Sequence, residues 1–257
     1  MGCFNPPFSA AVQRCFSRSA GAYEASARLQ AGVAHRLAQL CRPMAADLPR
    51  GIRADLGAGS GLLARAIDAA IGGEPLLRLD ACDRLLQQET PQLQPAAHQQ
   101  WDLNQGLPPQ LQDAALLASS FALQWLDQSE RELSRWCDAL QPGGALALAV
   151  PCRGSFQIWH QACASAKVPC TALLLPSAAA LINTAADQLE LEQQRTVYYS
   201  RPNRGARAFL RQIKTIGAQA SRSAPLPVGQ MRALIEHWPG SEQAIVWEVL
   251  ILVGRKR

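Results

Sequence analysis

The stretch from Ile52 to Ile71 leaves this chain few folds to choose from. Ile52 to Leu56 reads as a short strand, Gly57-Ala58-Gly59-Ser60-Gly61 as a tight turn, and Leu62 to Ile71 as a helix closed by Gly72-Gly73. A strand that enters a helix through a glycine turn is the context in which such a turn cradles a ligand. The turn amides and the helix N-terminus favour a bound anion, and glycine lets a ligand approach the backbone closely.

The rest of the chain repeats the alternation. Leu76 to Leu79 is a second strand, and Trp101-Asp102-Leu103 lies near the end of a third. Ala114 to Ser119 and Ala145 to Val150 are continuous apolar runs of the buried-strand type. Between them, Glu130 to Leu140 reads as a helix that stops at Gln141-Pro142-Gly143-Gly144. Strand and helix in alternation imply right-handed crossovers and a parallel sheet. Before this core, residues 17–41 read as one helix, with Tyr23, Ala27, Val33, Leu37 and Leu40 at helical spacing. After it, residues 153–187 read as mostly helical and Ala206 to Ile216 as a helix ended by Gly217. Strands follow near Glu190 to Tyr199 and Ile245 to Val253. The expectation is one α/β domain over 1–257, doubly wound and mostly parallel. It comprises an N-terminal helical lid (1–48), a cofactor-binding core (50–150), a helical cap and basic segment (151–220) and C-terminal strands (221–257).

The acids refine the ligand. The turn is spaced G-x-G-x-G, not the G-x-G-x-x-G of dinucleotide enzymes. Asp55, two residues before Gly57, would repel a pyrophosphate but can accept hydrogen bonds from an ammonium. An amino-acid zwitterion fits, such as the methionine end of S-adenosylmethionine. Asp80, 19 residues past Gly61, can accept from both ribose hydroxyls, with Asp83 as a competitor. Asp102 can take an adenine amino group, or cap a turn in Asp-Leu-Asn.

Asp55-Leu56-Gly57-Ala58-Gly59-Ser60-Gly61, Asp80, Asp102 and Leu140-Gln141-Pro142-Gly143-Gly144 together resemble the successive motifs of class I methyltransferases. A narrower resemblance spans nearly the whole chain. It is carried by Phe16-Ser17-Arg18-Ser19-Ala20, Ala27-Arg28-Leu29-Gln30, Ser119-Ser120-Phe121-Ala122-Leu123-Gln124-Trp125, Gly154-Ser155-Phe156, Ile213-Lys214-Thr215-Ile216-Gly217-Ala218 and Trp247-Glu248-Val249. These are similar to the malonyl-acyl-carrier-protein O-methyltransferases of biotin synthesis. Two departures are that Ser120 stands where the family often has Asn, and that no carboxylate stands near Ile158.

The resemblance implies a seven-stranded Rossmann-like methyltransferase sheet and S-adenosyl-L-methionine as cofactor. Gln30, Asp55, Gly57, Ala58, Gly59, Gly61, Asp80, Asp102, Leu103 and Ser120 would bind that cofactor. It implies methylation of the free carboxylate of a malonyl thioester on acyl carrier protein, or on coenzyme A. Tyr23 is the candidate catalytic hydroxyl, with ordinary core packing as the plainer role. Trp125, Arg204, Arg207 and Lys214 are candidate substrate contacts. Residues 204, 207 and 211 share one helical face, which could dock an acidic carrier protein or hold the malonyl carboxylate. Rival readings are a methyltransferase for another small acid or a quinone ring, and a non-catalytic protein that keeps the fold as a binding module.

Composition narrows the field. Hydrophobic residues make up 48% and charged residues 18%, enough for a sizeable core. The net charge of +5 is concentrated late: residues 151–257 hold 13 basic against 6 acidic residues. No run of about 18 apolar residues suits a membrane span. The 8 cysteines show no C-x-x-C pair and only 4 histidines accompany them, so no metal site is expected and the thiols suit a reducing cytoplasm. Met1-Gly2 begins like a myristoylation signal, but Pro6 breaks it. Asn5-Pro6-Pro7-Phe8 resembles a nucleic-acid methyltransferase motif but lies far from the fourth strand, so no nucleic-acid partner is expected.

Overall fold

A computed structural model describes residues 8–88 and 97–257. Most of Asn5-Pro6-Pro7-Phe8 lies outside that range, and Phe8 is the first residue of a helix. Seven strands form one sheet: β1 (Arg53–Leu56), β2 (Leu77–Asp80), β3 (His98–Gln100), β4 (Ala114–Ser120), β5 (Leu140–Pro151), β6 (Leu189–Arg201) and β7 (Ile245–Lys256). Their order is β3-β2-β1-β4-β5-β7-β6. The first five pair in parallel, and β7 runs antiparallel between β5 and β6. This is the doubly wound Rossmann-like methyltransferase sheet that the motifs imply.

Strand alternation builds two layers. On one face Leu116, Ala118, Ala145 and Ala147 pack with Val33, Leu37 and Ile67 of α2 (Arg28–Cys41) and α3 (Leu62–Ile71). On the other, Leu117, Leu146 and Leu148 pack with Leu133 and Trp136 of α5 (Ser129–Asp138) and Leu181 of α7 (Ala178–Ala186). The strand order turns back beside β1, and the crevice beyond the carboxyl ends of β1 and β4 is where such sheets bind ligands. Two helical pieces cover that crevice. One is α1 (Phe8–Ser26), in which Ala20 is the one buried residue. The other is a cap of α6 (Gln157–Ser165), α8 (Ala206–Thr215) and α9 (Val228–Glu236) around Trp159, Phe209 and Leu234. A one-turn helix, α4 (Asp83–Leu86), follows β2.

Several sequence expectations are corrected. The single helix over 17–41 is two helices that start earlier, at Phe8, and kink at Ala27 (φ −86°, ψ 41°). The stop at Gln141-Pro142-Gly143-Gly144 lies inside β5: Leu140 already pairs with Ala114, and the register shifts before Ala145 pairs with Leu116. Gly143, at φ +76°, absorbs that irregularity. Residues 153–187 hold two short helices separated by Pro169 and Pro176. The stretch 221–257, expected as strands, holds α9 and the single strand β7.

Candidate active site

The glycine turn is tied down from two sides. Gly57 and Ala58 amides donate to Leu79 O of β2 at 2.8 and 2.9 Å. The Gly59 amide donates to Asp80 Oδ2 at 2.8 Å, and the Cys82 amide to Asp80 Oδ1 at 2.7 Å. Asp80 therefore shapes the turn as well as facing the cleft. Gly57 has φ +73°, and a Cβ there would lie 2.2 Å from the Ala122 Cβ, so no larger residue fits.

Asp55 is 1% exposed. Its Oδ2 accepts from the Ala64 amide in the first turn of α3 at 3.0 Å, while its Oδ1 is buried without a partner. Burial pushes its carboxyl up to about 7, with the nearby Asp80 adding to the rise and the Ala64 amide opposing it. Such an unmatched carboxylate is costly to keep ionised, and a cationic group beside Oδ1 relieves the cost. Burial also raises Asp80, against two backbone amides that lower it.

Asp102 makes the capping turn allowed for it: Oδ1 accepts from the Asn104 amide and side chain, both at 3.0 Å. Even so, it lines the same cleft as Asp55, Gly57, Ala58, Gly59, Asp80, Leu103, Ser120, Trp101 and Leu85. The cleft encloses about 910 Å³, its open mouth included. Its lining combines a carboxylate with one unpaired oxygen, the glycine turn, a second and a third carboxylate, and apolar side chains. Gly61 does not line the cleft. It caps α3 at φ +87°, and a Cβ there would meet Arg78 Nη1 at 2.9 Å, so its glycine serves the turn and not a ligand.

The lid closes this cleft with aromatic rings. Phe16 packs edge-on against Trp125 (5.6 Å between centroids) and Tyr23 (6.2 Å). Gln13 Nε2 donates to Ala81 O at 2.7 Å. The Tyr23 hydroxyl reaches to within 4.0 Å of the position a Gly59 Cβ would take. Its proton is held tightly, first by burial and then by Asp80 and Asp55.

Tyr23, Gln30, Phe16, Phe121 and Trp125 also line a second cavity of about 770 Å³, walled by the cap. Among the described residues, no Asp, Glu, Lys, Arg or His lines it. Arg204, which precedes α8, and Arg207 and Lys214 on it are all exposed and line neither cavity, so these candidate contacts lie on the outer surface and not in the chamber. Phe209 and Ile213 anchor α8 inward, which turns its arginines outward. His160 lines neither cavity and sits 3.5 Å from Cys170 Sγ. Trp159, Gln124 and Gln219, not singled out from the sequence, do line the second cavity, each with a buried polar atom that has no partner. Gln124 lies within Ala-Leu-Gln-Trp, the one available hint; the other two are brought in by the cap.

No protein-family model matches the chain. It is 30% identical over 244 residues, 92% of its length, to the biotin biosynthesis bifunctional protein BioCD of Bordetella avium, and covers 50% of that protein. It is 28% identical over 96% of its length to the malonyl-[acyl-carrier protein] O-methyltransferase of Alcanivorax borkumensis, covering 86% of it. The chain thus spans half the length of the first relative and most of the second. Among solved structures, a geranyl diphosphate methyltransferase superposes with a TM-score of 0.56 at 13% identity, over 97% of this chain and 99% of that one. In fold the chain is similar to solved methyltransferases, and in sequence it is similar along more than nine-tenths of its length to a bifunctional biotin biosynthesis protein and to a malonyl-[acyl-carrier protein] O-methyltransferase.

Proposed function

We propose that this chain transfers a methyl group from S-adenosylmethionine to the free carboxylate of a malonyl thioester carried by acyl carrier protein. The observation that carries the reading is the meeting of two unlike cavities at Tyr23 and Gln30: an acid-lined cleft on one side, and on the other a mostly apolar chamber with no charged side chain among the described residues. The similarity to malonyl-acyl-carrier-protein O-methyltransferases names the acid.

The residues fit the cofactor. Asp55 Oδ1 would take its ammonium, the Gly57–Gly59 turn would pass close to its amino-acid portion, Asp80 and Asp102 would accept from ribose and adenine, and Leu103 and Ser120 would complete the walls. Bound there, S-adenosylmethionine supplies a methyl group on a positively charged sulfur. The chain's own work is positional. A carboxylate is ionised at neutral pH and needs no base. Tyr23 keeps its proton and donates to the carboxylate oxygen that does not attack, with the Gln30 amide, across the Ala27 kink, lining the same two cavities. Alignment of this kind can be worth about 7–11 kcal/mol in favourable cases. The apolar wall and the Phe16–Trp125 contact exclude water, leaving the attacking oxygen less solvated and more reactive.

The exposed side of α8 completes the reading. Arg207, Arg211 and Lys214 face solvent, while Ile213 of the same helix lines the second cavity. A carrier protein docked on the basic face would sit beside the chamber its acyl group must enter. The test is a ranking of kcat/KM for malonyl-acyl-carrier-protein, malonyl-coenzyme A, free malonate and a quinone. The reading expects the carrier-bound thioester first; a free acid or a quinone in first place overturns it.

A further inference from the structure

The second cavity, about 770 Å³ with its open mouth included, extends past Tyr23 and Gln30, where the acyl group is placed, to a wall built by the cap. Its remaining wall is aromatic and aliphatic, with Phe156, Trp247, Leu173 and Ile216 among its members.

Three residues of that wall each carry a buried polar atom with no hydrogen-bond partner: Gln124 Oε1, Gln219 Oε1 and Trp159 Nε1. Gln124 is 6% exposed and Trp159 is 9% exposed. The Gln124 amide is pinned, because its Nε2 donates to Phe121 O at 2.7 Å, and this leaves Oε1 to act as an acceptor. The Trp159 indole can only donate. Buried polar groups are rarely left unpaired, and each unpaired one costs free energy that a ligand can recover. A carboxylate would meet the fixed Gln124 acceptor unfavourably, and a hydrocarbon chain would leave all three atoms unpaired. An amide supplies an N–H for an acceptor and a carbonyl for a donor.

Building on the functional reading above, we propose that the second cavity binds the uncharged, amide-bearing pantetheine arm of the thioester. Gln124 and Gln219 accept from its amide N–H groups, Trp159 donates to an amide carbonyl, and the aromatic walls pack on its methylenes. The arm carries its own amides whether coenzyme A or a carrier protein presents it, so the site reads the arm and the surface outside reads what lies beyond.

The test needs no methyl transfer. Free pantetheine is titrated into the protein by saturation-transfer NMR, in wild type, Trp159→Phe and Gln219→Leu. Titration of the same variants with S-adenosylhomocysteine reports whether the neighbouring cleft is intact. The proposal expects saturable pantetheine binding, weakened about five-fold by either substitution, as for one neutral hydrogen bond. Coenzyme A and the holo carrier protein should lose the same factor, and their affinities relative to pantetheine show which source the outer surface prefers. Absence of pantetheine binding, or equal binding by all three proteins, overturns the subsite. If pantetheine binds and both variants weaken it while no malonyl thioester is methylated, the subsite stands and the functional reading falls.

Discussion

Replacing Asp55 by Asn should stabilise the protein while damaging its cofactor site. Asp55 is 1% exposed, with one oxygen on the Ala64 amide and the other unpaired. Its carboxyl rises from an ordinary ~3.9 to about 7. That rise is about 3 units, or about 4 kcal/mol at 1.36 kcal/mol per unit; screening by water in the cleft reduces it to about 2–4 kcal/mol. Between those two pKa values the folded chain holds a proton that the unfolded chain has lost, so wild-type stability falls as pH rises from about 4 to about 7. Asn carries no charge and escapes this loss, while its carbonyl can still accept from Ala64. In a chain of this size 1 kcal/mol moves Tm by about 2–4 °C. The variant should therefore melt roughly 4–16 °C higher than wild type near pH 8 and about level with it near pH 4. Scanning calorimetry of the ligand-free proteins across that range reads the gap directly. Calorimetric titration should show S-adenosylhomocysteine, which keeps the ammonium, binding about ten- to a hundred-fold more weakly, as for a lost charged hydrogen bond. A stability gap that does not grow with pH would refute the idea that Asp55 is held as an uncompensated buried carboxylate.

Three further outcomes are expected. Tyr23→Phe should keep the fold and most cofactor affinity but lose turnover, because only the donor to the carboxylate is removed; steady-state kinetics at the wild-type rate would reduce Tyr23 to packing. Asp80→Ala should weaken S-adenosylhomocysteine by about 1.5–3 kcal/mol or more, since the ribose acceptor and the anchor of the Gly59 amide go together; unchanged affinity in a folded variant would remove Asp80 from the site. Charge reversal of Arg207 and Arg211 together, or added salt, should lower kcat/KM for malonyl-acyl-carrier-protein while sparing a short neutral malonyl thioester, because exposed charges steer docking and are screened over about 8 Å at physiological ionic strength. Equal effects on both substrates would place those arginines elsewhere in the account.

The parts of this protein legible in sequence are those governed by local chemistry. The glycine turn between an apolar run and a helix marked β1 and α3, and α3 spans Leu62–Ile71 as read. Asp55, Asp80 and Asp102 could be placed because each lies at or just past the carboxyl end of a strand that opens on one crevice. The lid was read short because Phe8, Val12 and Phe16 recur at helical spacing close to two prolines, and the kink at Ala27 has no residue signal. Gly61 belonged to the right motif, yet its demand comes from Arg78 across the turn. The basic residues of α8 were seen to share a face, but their outward direction depends on Phe209 and Ile213 packing into the cap. The unpaired atoms of Gln124, Trp159 and Gln219 were beyond sequence reading, because being without a partner is a property of three segments brought together.

The most direct test of the central claim is where the methyl group lands. Malonyl-acyl-carrier-protein is incubated with the enzyme and isotope-labelled S-adenosylmethionine, and the product arm is fragmented by mass spectrometry. The account predicts one label on the free carboxylate oxygen, released as methanol by mild alkali. A label on carbon, or an unlabelled arm in the presence of an enzyme that binds the cofactor, would contradict it.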